Sequence, residues 1–406
     1  MRSLILTYAE MLLARGIAIL GSFGVAILTA RMLGPAERGR YYYIVTLAAI
    51  GMQLASLGIH SSNTYLIART PALRAQIMAN SGWIALVGGL AAAAGVLLFD
   101  LAIGEPEQNV LLIVVVLTLT PSLLLFLYLS NVAVALNRPR TFNGLIVLNS
   151  VFAIGAALLA AYPTPSLSGF LIAAVAASLI ACIVAWFVLA RDVKIPVAFD
   201  RPLFYLGIAF ALRAHVATLL GFFMARMSVV VLRQYGGFSE LGYWSVAAQI
   251  ADALLILPAT ICLLLFPALV RVEGKARKDH YYAALLQITL LMVAVCVASA
   301  LVAKPAITIV FGAAYEPAVA IILALLPGVF FIGVGSAASQ FLSANGFPWS
   351  QVVAWLVGAC LQGLLSVVLF RSAGVVGLAW IQSACAGFVC IWLLLISLRS
   401  ARADGH

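Results

Sequence analysis

Twelve long apolar runs divide this chain, and each can be a membrane-spanning helix. They cover residues 8–30, 41–66, 77–99, 109–136, 142–161 and 169–190, then 204–233, 241–266, 281–303, 319–342, 351–370 and 376–398. Crossing about 30 Å of hydrocarbon takes about 20 helical residues. In that medium each backbone N–H and C=O has to be satisfied by the chain itself, so only helices and closed barrels span it. A barrel strand alternates apolar and polar residues, and these runs do not. The expectation is an all-α polytopic membrane protein with twelve transmembrane helices. With 65% hydrophobic and 9% charged residues, the chain stands far from the roughly 25% charged composition of soluble domains. The six cysteines all fall inside apolar runs without metal-ligand or redox spacing, which marks them as small packing residues. No small-residue cleavage site follows the first run, so that run is expected to stay attached.

The chain also repeats itself. Gly34-x-x-Glu37-x-Gly39, within LGPAERGRYYY, returns as Gly237-x-x-Glu240-x-Gly242, displaced by 203 residues, half of 406. Each copy sits in a short polar gap between apolar runs, where glycine permits a tight reversal. The chain's only Glu-Pro dipeptides, Glu105-Pro106 and Glu316-Pro317, keep the same order, as do Asn137 and Asn345, each with a proline shortly after. Two six-helix lobes follow, 1–203 and 204–406. The first closes with the basic connector 191–203, where Pro196 and Pro202 discourage a continuous helix. Six spans return the chain to its starting side, so the lobes enter the membrane in the same orientation, as a parallel repeat around a central cavity.

Positive side chains are retained on the cytoplasmic side of a membrane. Fourteen Lys and Arg fall in the termini and even-numbered loops and six in the odd-numbered loops, so both termini and the connector are expected to be cytoplasmic. Three of the six, Arg31, Arg38 and Arg40, crowd the first loop against that rule. Much of the net charge of +10 is thus topological, and nucleic acid is not expected as a partner. The longest external gap, Lys304 to Ala318, spans fifteen residues and cannot hold a folded catalytic unit. Function has to lie among the helices.

Polar residues inside the spans therefore carry the functional signal. The second span reads Tyr42, Thr46, Gln53, Ser56, His60, Asn63, a helical spacing that puts every polar group on one face. The first span has Tyr8, Arg15, Ser22 and Thr29 at intervals of seven, and the eighth has Ser245, Gln249 and Asp252. On the seventh, His215, Arg226 and Arg233 share a face while Arg213 lies elsewhere. These stripes either line a wet cavity between the lobes or serve as interhelical hydrogen-bond partners. Asp252 is the only acid well inside a span, about 18 Å from the turn at Glu240, and Arg226 approaches from the same turn to about 12 Å. A carboxylate at that depth either pairs with the arginine or takes a proton. The candidate substrate-binding residues are Arg15, Gln53, His60, Arg213, His215, Arg226, Gln249 and Asp252. Pro121, Pro258, Pro267 and Pro327 predict kinks, which act as hinges in a transporter and are merely tolerated elsewhere. The four histidines are scattered and no HExxH, GxSxG or phosphate loop is present, so neither an enzyme nor a metal or cofactor site is expected.

With its short basic start, the segment RMLGPAERGRYYY, the six-plus-six layout and the second-half YGGFSELGYWSVA, the chain resembles the polysaccharide flippases of the Wzx type. These belong to the multidrug/oligosaccharidyl-lipid/polysaccharide exporter superfamily. Val310-Phe311-Gly312-Ala313-Ala314-Tyr315 is similar to that family's Phe-Gly-x-x-Tyr loop before the tenth span. One departure stands out: many relatives have Arg-x-Asp in the seventh span, and this chain has Arg226-Met227-Ser228. The resemblance implies an inner-membrane flippase that moves undecaprenyl-diphosphate-linked oligosaccharide to the outer leaflet by alternating access. It also implies the lipid bilayer and a polysaccharide polymerase or other assembly proteins as partners. A diphosphate crossing hydrocarbon needs counter-charge, which Arg15, Arg213 or Arg226 can supply while polar stripes contact sugars. A cation-coupled drug exporter of the same superfamily is the rival reading, and it should favour acidic over basic cavity residues.

The orientation has a direct test. On a cysteine-free background, a cysteine at position 105 is expected to be labelled from outside intact spheroplasts while one at 196 is protected. The reverse pattern would overturn the charge-based topology.

Overall fold

The computed structural model describes residues 2–103, 110–346 and 348–403. Among these the regular structure is helical, with no strand, as the sequence predicts. The α-helices are α1 (Arg2–Ser56), α2 (Ile59–Arg69), α3 (Arg74–Trp83), α4 (Gly89–Ile103), α5 (Val110–Ala135), α6 (Pro139–Ala160) and α7 (Leu167–Ala190). There follow α8 (Arg201–Tyr235), α9 (Phe238–Leu254), α10 (Ile256–Arg271), α11 (Gly274–Val310), α12 (Ala318–Ala344) and α13 (Trp349–Ala403). Ten stretches among the described residues are long and apolar enough to cross a membrane. Two of them, Leu13–Ser56 and Trp349–Ser400, have 44 and 52 residues, enough for two crossings each. Each is broken where a double crossing requires it, at Gly34 (φ 72°, ψ 176°) and Gly374 (φ 63°, ψ −163°). The protein is a multi-pass membrane protein of two lobes.

Gly34 shows why the repeated motif turns the chain. Its φ lies in the left-handed region that glycine enters without a Cβ penalty. Pro35 follows with its φ already set for a helical first turn and no N–H to leave unpaired. The second copy makes the same reversal differently. Gly237 is extended (φ −133°), and Glu240 accepts a hydrogen bond from its N–H at 2.9 Å. Glu37 instead pairs with Arg40 at 3.0 Å. A further echo of the 203-residue displacement joins Arg74 to Arg277. Arg74 donates to the Leu189 carbonyl near the end of α7. Arg277 donates to Leu269 O at 3.1 Å and Val272 O at 2.8 Å at the end of α10, and to Asn345 Oδ1 at 2.7 Å. Both arginines cover carbonyls that a helix C-terminus leaves unpaired. Glu105 and Pro106, half of the Glu-Pro echo, lie outside the described residues.

The chain forms two compact units, residues 1–215 and 216–406. In the first, the second span breaks at Leu57 (φ 46°) and Gly58 (φ 70°), two successive left-handed residues between α1 and α2. A Cβ on Gly58 would stand 2.8 Å from His215 Cβ and 3.0 Å from the Ala211 carbonyl, so α2 and the first part of α8 meet through this glycine. Polar groups of the second span hold the same region together. Tyr128 donates to Ser56 O at 3.1 Å, and buried Asn63 donates to Ser81 Oγ at 3.0 Å. Asn63 is thus an interhelical partner. In the second unit α12 is the central helix. Ser383 Oγ donates to Ala324 O at 2.6 Å and accepts from Gly328 N at 3.0 Å, while Tyr281 stacks on Phe341 at 4.4 Å.

Gly58→Ala is expected to destabilise the protein by about 2–3 kcal/mol, since left-handed strain adds to a clash with backbone. Gly34→Ala, with no atom within 4 Å of the added Cβ, should cost only the strain of its φ 72°, ψ 176° backbone, about 1–3 kcal/mol. Thermal unfolding of the two variants in detergent measures both losses.

Candidate functional site

Arg226 and Asp252 meet in the second unit. Asp252 projects from α9 and accepts a hydrogen bond from Arg226 Nη2 of α8 at 2.9 Å. The side chains keep 23% and 47% of their accessible surface, so the pair is anchored on one side and open on the other. The Arg226 guanidinium also lies 6.0 Å from the centre of the Phe222 ring, one turn earlier on α8. Of the two roles open to a deep carboxylate, pairing is the one the geometry carries. The arginine is engaged in further contacts besides this one. Gln249, three residues before Asp252 on α9, is half-buried and engaged in its own contacts.

Two histidines share one neighbourhood in the first unit. His60 follows Gly58 by two residues at the start of α2, and His215 of α8 packs on that glycine, where an added Cβ would stand 2.8 Å from His215 Cβ. His215 keeps 4% of its surface, and neither of its ring nitrogens has a hydrogen-bond partner among the described residues. His60 is half-buried with an unpartnered Nδ1. Burying unpaired polar atoms costs about 1–3 kcal/mol each, so packing alone gives no reason for imidazoles here. Arg15 and Gln53 lie half-buried along α1. The side chain of Arg213 lies outside the described residues.

The second unit also holds polar groups outside the stripes of the sequence. A cavity of about 290 Å³ is lined by Met224, Ala225, Phe331, Trp355, Gln362 and Gln382, with further apolar residues. Gln362 donates to Met224 O at 2.8 Å, and its Oε1 is buried without a partner. Ser228, fully buried, donates to Gln382 Oε1 at 2.9 Å. The position where related sequences were expected to carry a carboxylate is thus a neutral hydroxyl-to-amide hydrogen bond. The available signal was the four-residue spacing of Gln362 and Ser366, both fully buried on the eleventh crossing. Among the described residues no three His, Cys, Asp or Glu side chains gather as a metal site would require.

The family model described as "Polysaccharide biosynthesis protein" matches residues 28–320, more than half of the chain. The chain belongs to that family. No curated protein sequence matches it. Among solved structures it is similar to the lipid II flippase MurJ in an inward closed conformation. That match has a TM-score of 0.77 at 16% identity and covers 99% of this chain and 90% of the other. An inward-facing multidrug resistance MATE family transporter of the MOP superfamily gives 0.71 at 13% identity, covering 95% of each chain. A MOP superfamily transporter from Pyrococcus furiosus gives 0.64 at 14%, covering 98% and 95%. At these identities the likeness establishes a shared fold, that of membrane transporters and flippases.

If Asp252 serves mainly to hold Arg226, Asp252→Asn lowers stability, and neutralising Arg226 as well recovers part of the loss. The expected cost lies between the about 0–1 kcal/mol of an exposed pair and the about 3–5 kcal/mol of breaking a buried one. A double-mutant cycle on thermal unfolding measures it, and strict additivity would reject the pairing role. A well-folded Asp252→Asn protein whose transport ignores an imposed pH gradient would assign the carboxylate to proton coupling instead.

Proposed function

We propose that this polysaccharide biosynthesis protein is a flippase for oligosaccharide linked to undecaprenyl diphosphate, moved from the cytoplasmic to the outer leaflet of the bacterial inner membrane by alternating access. The observation that carries the reading is the Arg226–Asp252 pair at 2.9 Å. It engages the only acid well inside a span and leaves Arg15 and Arg213 as further intramembrane cations. The spans thus carry more positive than negative charge, which suits a diphosphate: an isolated anion is prohibitively costly in hydrocarbon, and guanidinium forks bind phosphate oxygens in pairs. Polar side chains such as Gln53 and Gln249 supply hydrogen-bonding groups for sugar hydroxyls. Family membership supports the polysaccharide part of this reading, and the MurJ-like fold supports movement of a lipid-linked substrate. A polysaccharide polymerase or another assembly protein is the partner that would consume the flipped product.

A cation-coupled drug exporter is the alternative, and the MATE-like fold agrees with it. It requires an acid free to exchange cations, and the engaged Asp252 tells against it.

Purified protein in liposomes is expected to flip defined lipid-linked oligosaccharides. Among Arg15→Ala, Arg213→Ala and Arg226→Ala, at least one should lower the flipping rate about 10-fold or more, the worth of one charge-assisted hydrogen bond. The matching lysine variant should lose less, since charge survives while the bidentate geometry does not. Normal flipping by all three folded alanine variants would sink the basic-site idea.

A further inference from the structure

An apolar cleft of about 450 Å³ opens in the first unit, where three irregular pieces of backbone converge. One wall is the break of the second span, with Ala55 and the left-handed Leu57. A second is the π-helical turn Ile84–Gly88 between α3 and α4, with Trp83 just before it. The third is the end of the connector and the start of α8, where Phe199 and Phe204 face each other with ring centres 5.6 Å apart. The connector is strapped in place. Trp83 Nε1 donates to Val197 O at 2.7 Å, and Asn80 exchanges two 2.8 Å hydrogen bonds with the Asp200 backbone. Left-handed non-glycine residues and π-turns are conformations that persist where the surroundings or a function maintain them. Here both border one unfilled apolar space, with Trp83 and Val87 open at its mouth at 41% and 59% exposure.

Charge says what kind of molecule fits. Arg201 stands in the chain between the lining residues Phe199 and Phe204, and Lys194 lies earlier on the same connector. Both are exposed and neither has an ion-pair partner among the described residues. The acids beside them are occupied: Asp192 faces Arg138 at 3.9 Å, and Asp200 Oδ1 accepts from Leu203 N at 3.0 Å. An apolar slot with free cations on the adjoining connector suits an amphiphile with one hydrocarbon chain inside and an anionic headgroup outside. Size chooses between membrane amphiphiles. At roughly 30 Å³ per water-sized group, which is close to a methylene, the cleft takes about fifteen chain carbons. That is one fatty-acyl chain, whereas a long polyprenyl tail is several times larger.

We propose that this cleft binds one acyl chain of an anionic phospholipid, whose phosphate lies against Arg201 and Lys194. The site is independent of the transport reading, and the lipid completes the apolar packing that the broken second span leaves open.

Trp83 reports on its own neighbours. The full-length protein is placed in phosphatidylcholine vesicles containing a minor fraction of brominated phosphatidylglycerol, or the same fraction of brominated phosphatidylcholine. The Trp83 signal is the wild-type emission less that of Trp83→Phe. Quenching is expected to be stronger with the anionic lipid by about fivefold for each of the two cations that engages the headgroup. Lys194→Gln combined with Arg201→Gln, both at exposed positions, should bring the two lipids level. Gly88→Leu, whose added Cβ would meet only Ile84 at 3.7 Å, should fill the cleft and lower quenching by both. Equal quenching by the two lipids in the wild type would overturn the proposal, and so would an anionic preference that survives the double charge variant. Loss of the preference on adding the same fraction of polyprenyl phosphate would show a substrate tail in the slot and overturn the phospholipid assignment.

Discussion

Water is absent from the hydrocarbon core of a bilayer, so a backbone N–H or C=O left unpaired there costs several kcal/mol. Each helix of this protein answers that constraint along its length, and the interruptions occur where something else takes over. Gly34 and Gly374 reverse the chain between crossings. The buried carbonyl of Ser56, just before the break at Leu57–Gly58, accepts from the Tyr128 hydroxyl. Arg74 and Arg277, one in each lobe, turn guanidinium groups onto carbonyls at helix ends. The two lobes thus solve the problem of a helix C-terminus with the same residue type.

Side-chain polarity obeys the same rule with fewer solutions. Asn63 pairs with Ser81, Ser228 with Gln382, and Gln362 with a backbone carbonyl, each across two helices. These groups hold helices together, as polar residues in membranes do at about 1 kcal/mol apiece. His215 differs from these: among the described residues neither of its buried ring nitrogens has a partner, a cost to stability that helix packing does not account for.

Parts of the site were legible in the sequence and parts were not. The approach of Arg226 and Asp252 was one of two outcomes left open by a constant helical rise, which placed them about 12 and 18 Å from the same turn. The neighbourhood of His60 and His215 did not follow, because it depends on Gly58 letting α8 come close, and the left-handed Leu57 beside it carries no turn signal of its own. Gln362 and Gln382 stand outside the polar stripes because one polar neighbour at helical spacing, Ser366 beside Gln362, leaves little periodic trace in an otherwise apolar span, and their partners sit on a crossing more than a hundred residues earlier.

Hydropathy by itself determined the all-helical, multi-pass class, since this rests on run length and on composition summed over about 20 residues, and the repeated glycine motif pointed to two lobes. Charge placement gave the expected orientation by the same summation. Only the tertiary structure decided which polar side chains are partnered and which are left over. A hydrogen bond forms or fails over a few tenths of an ångström near 2.9 Å. That distance is set by how helices remote in sequence pack on small residues and broken turns, and no property of a single span contains it.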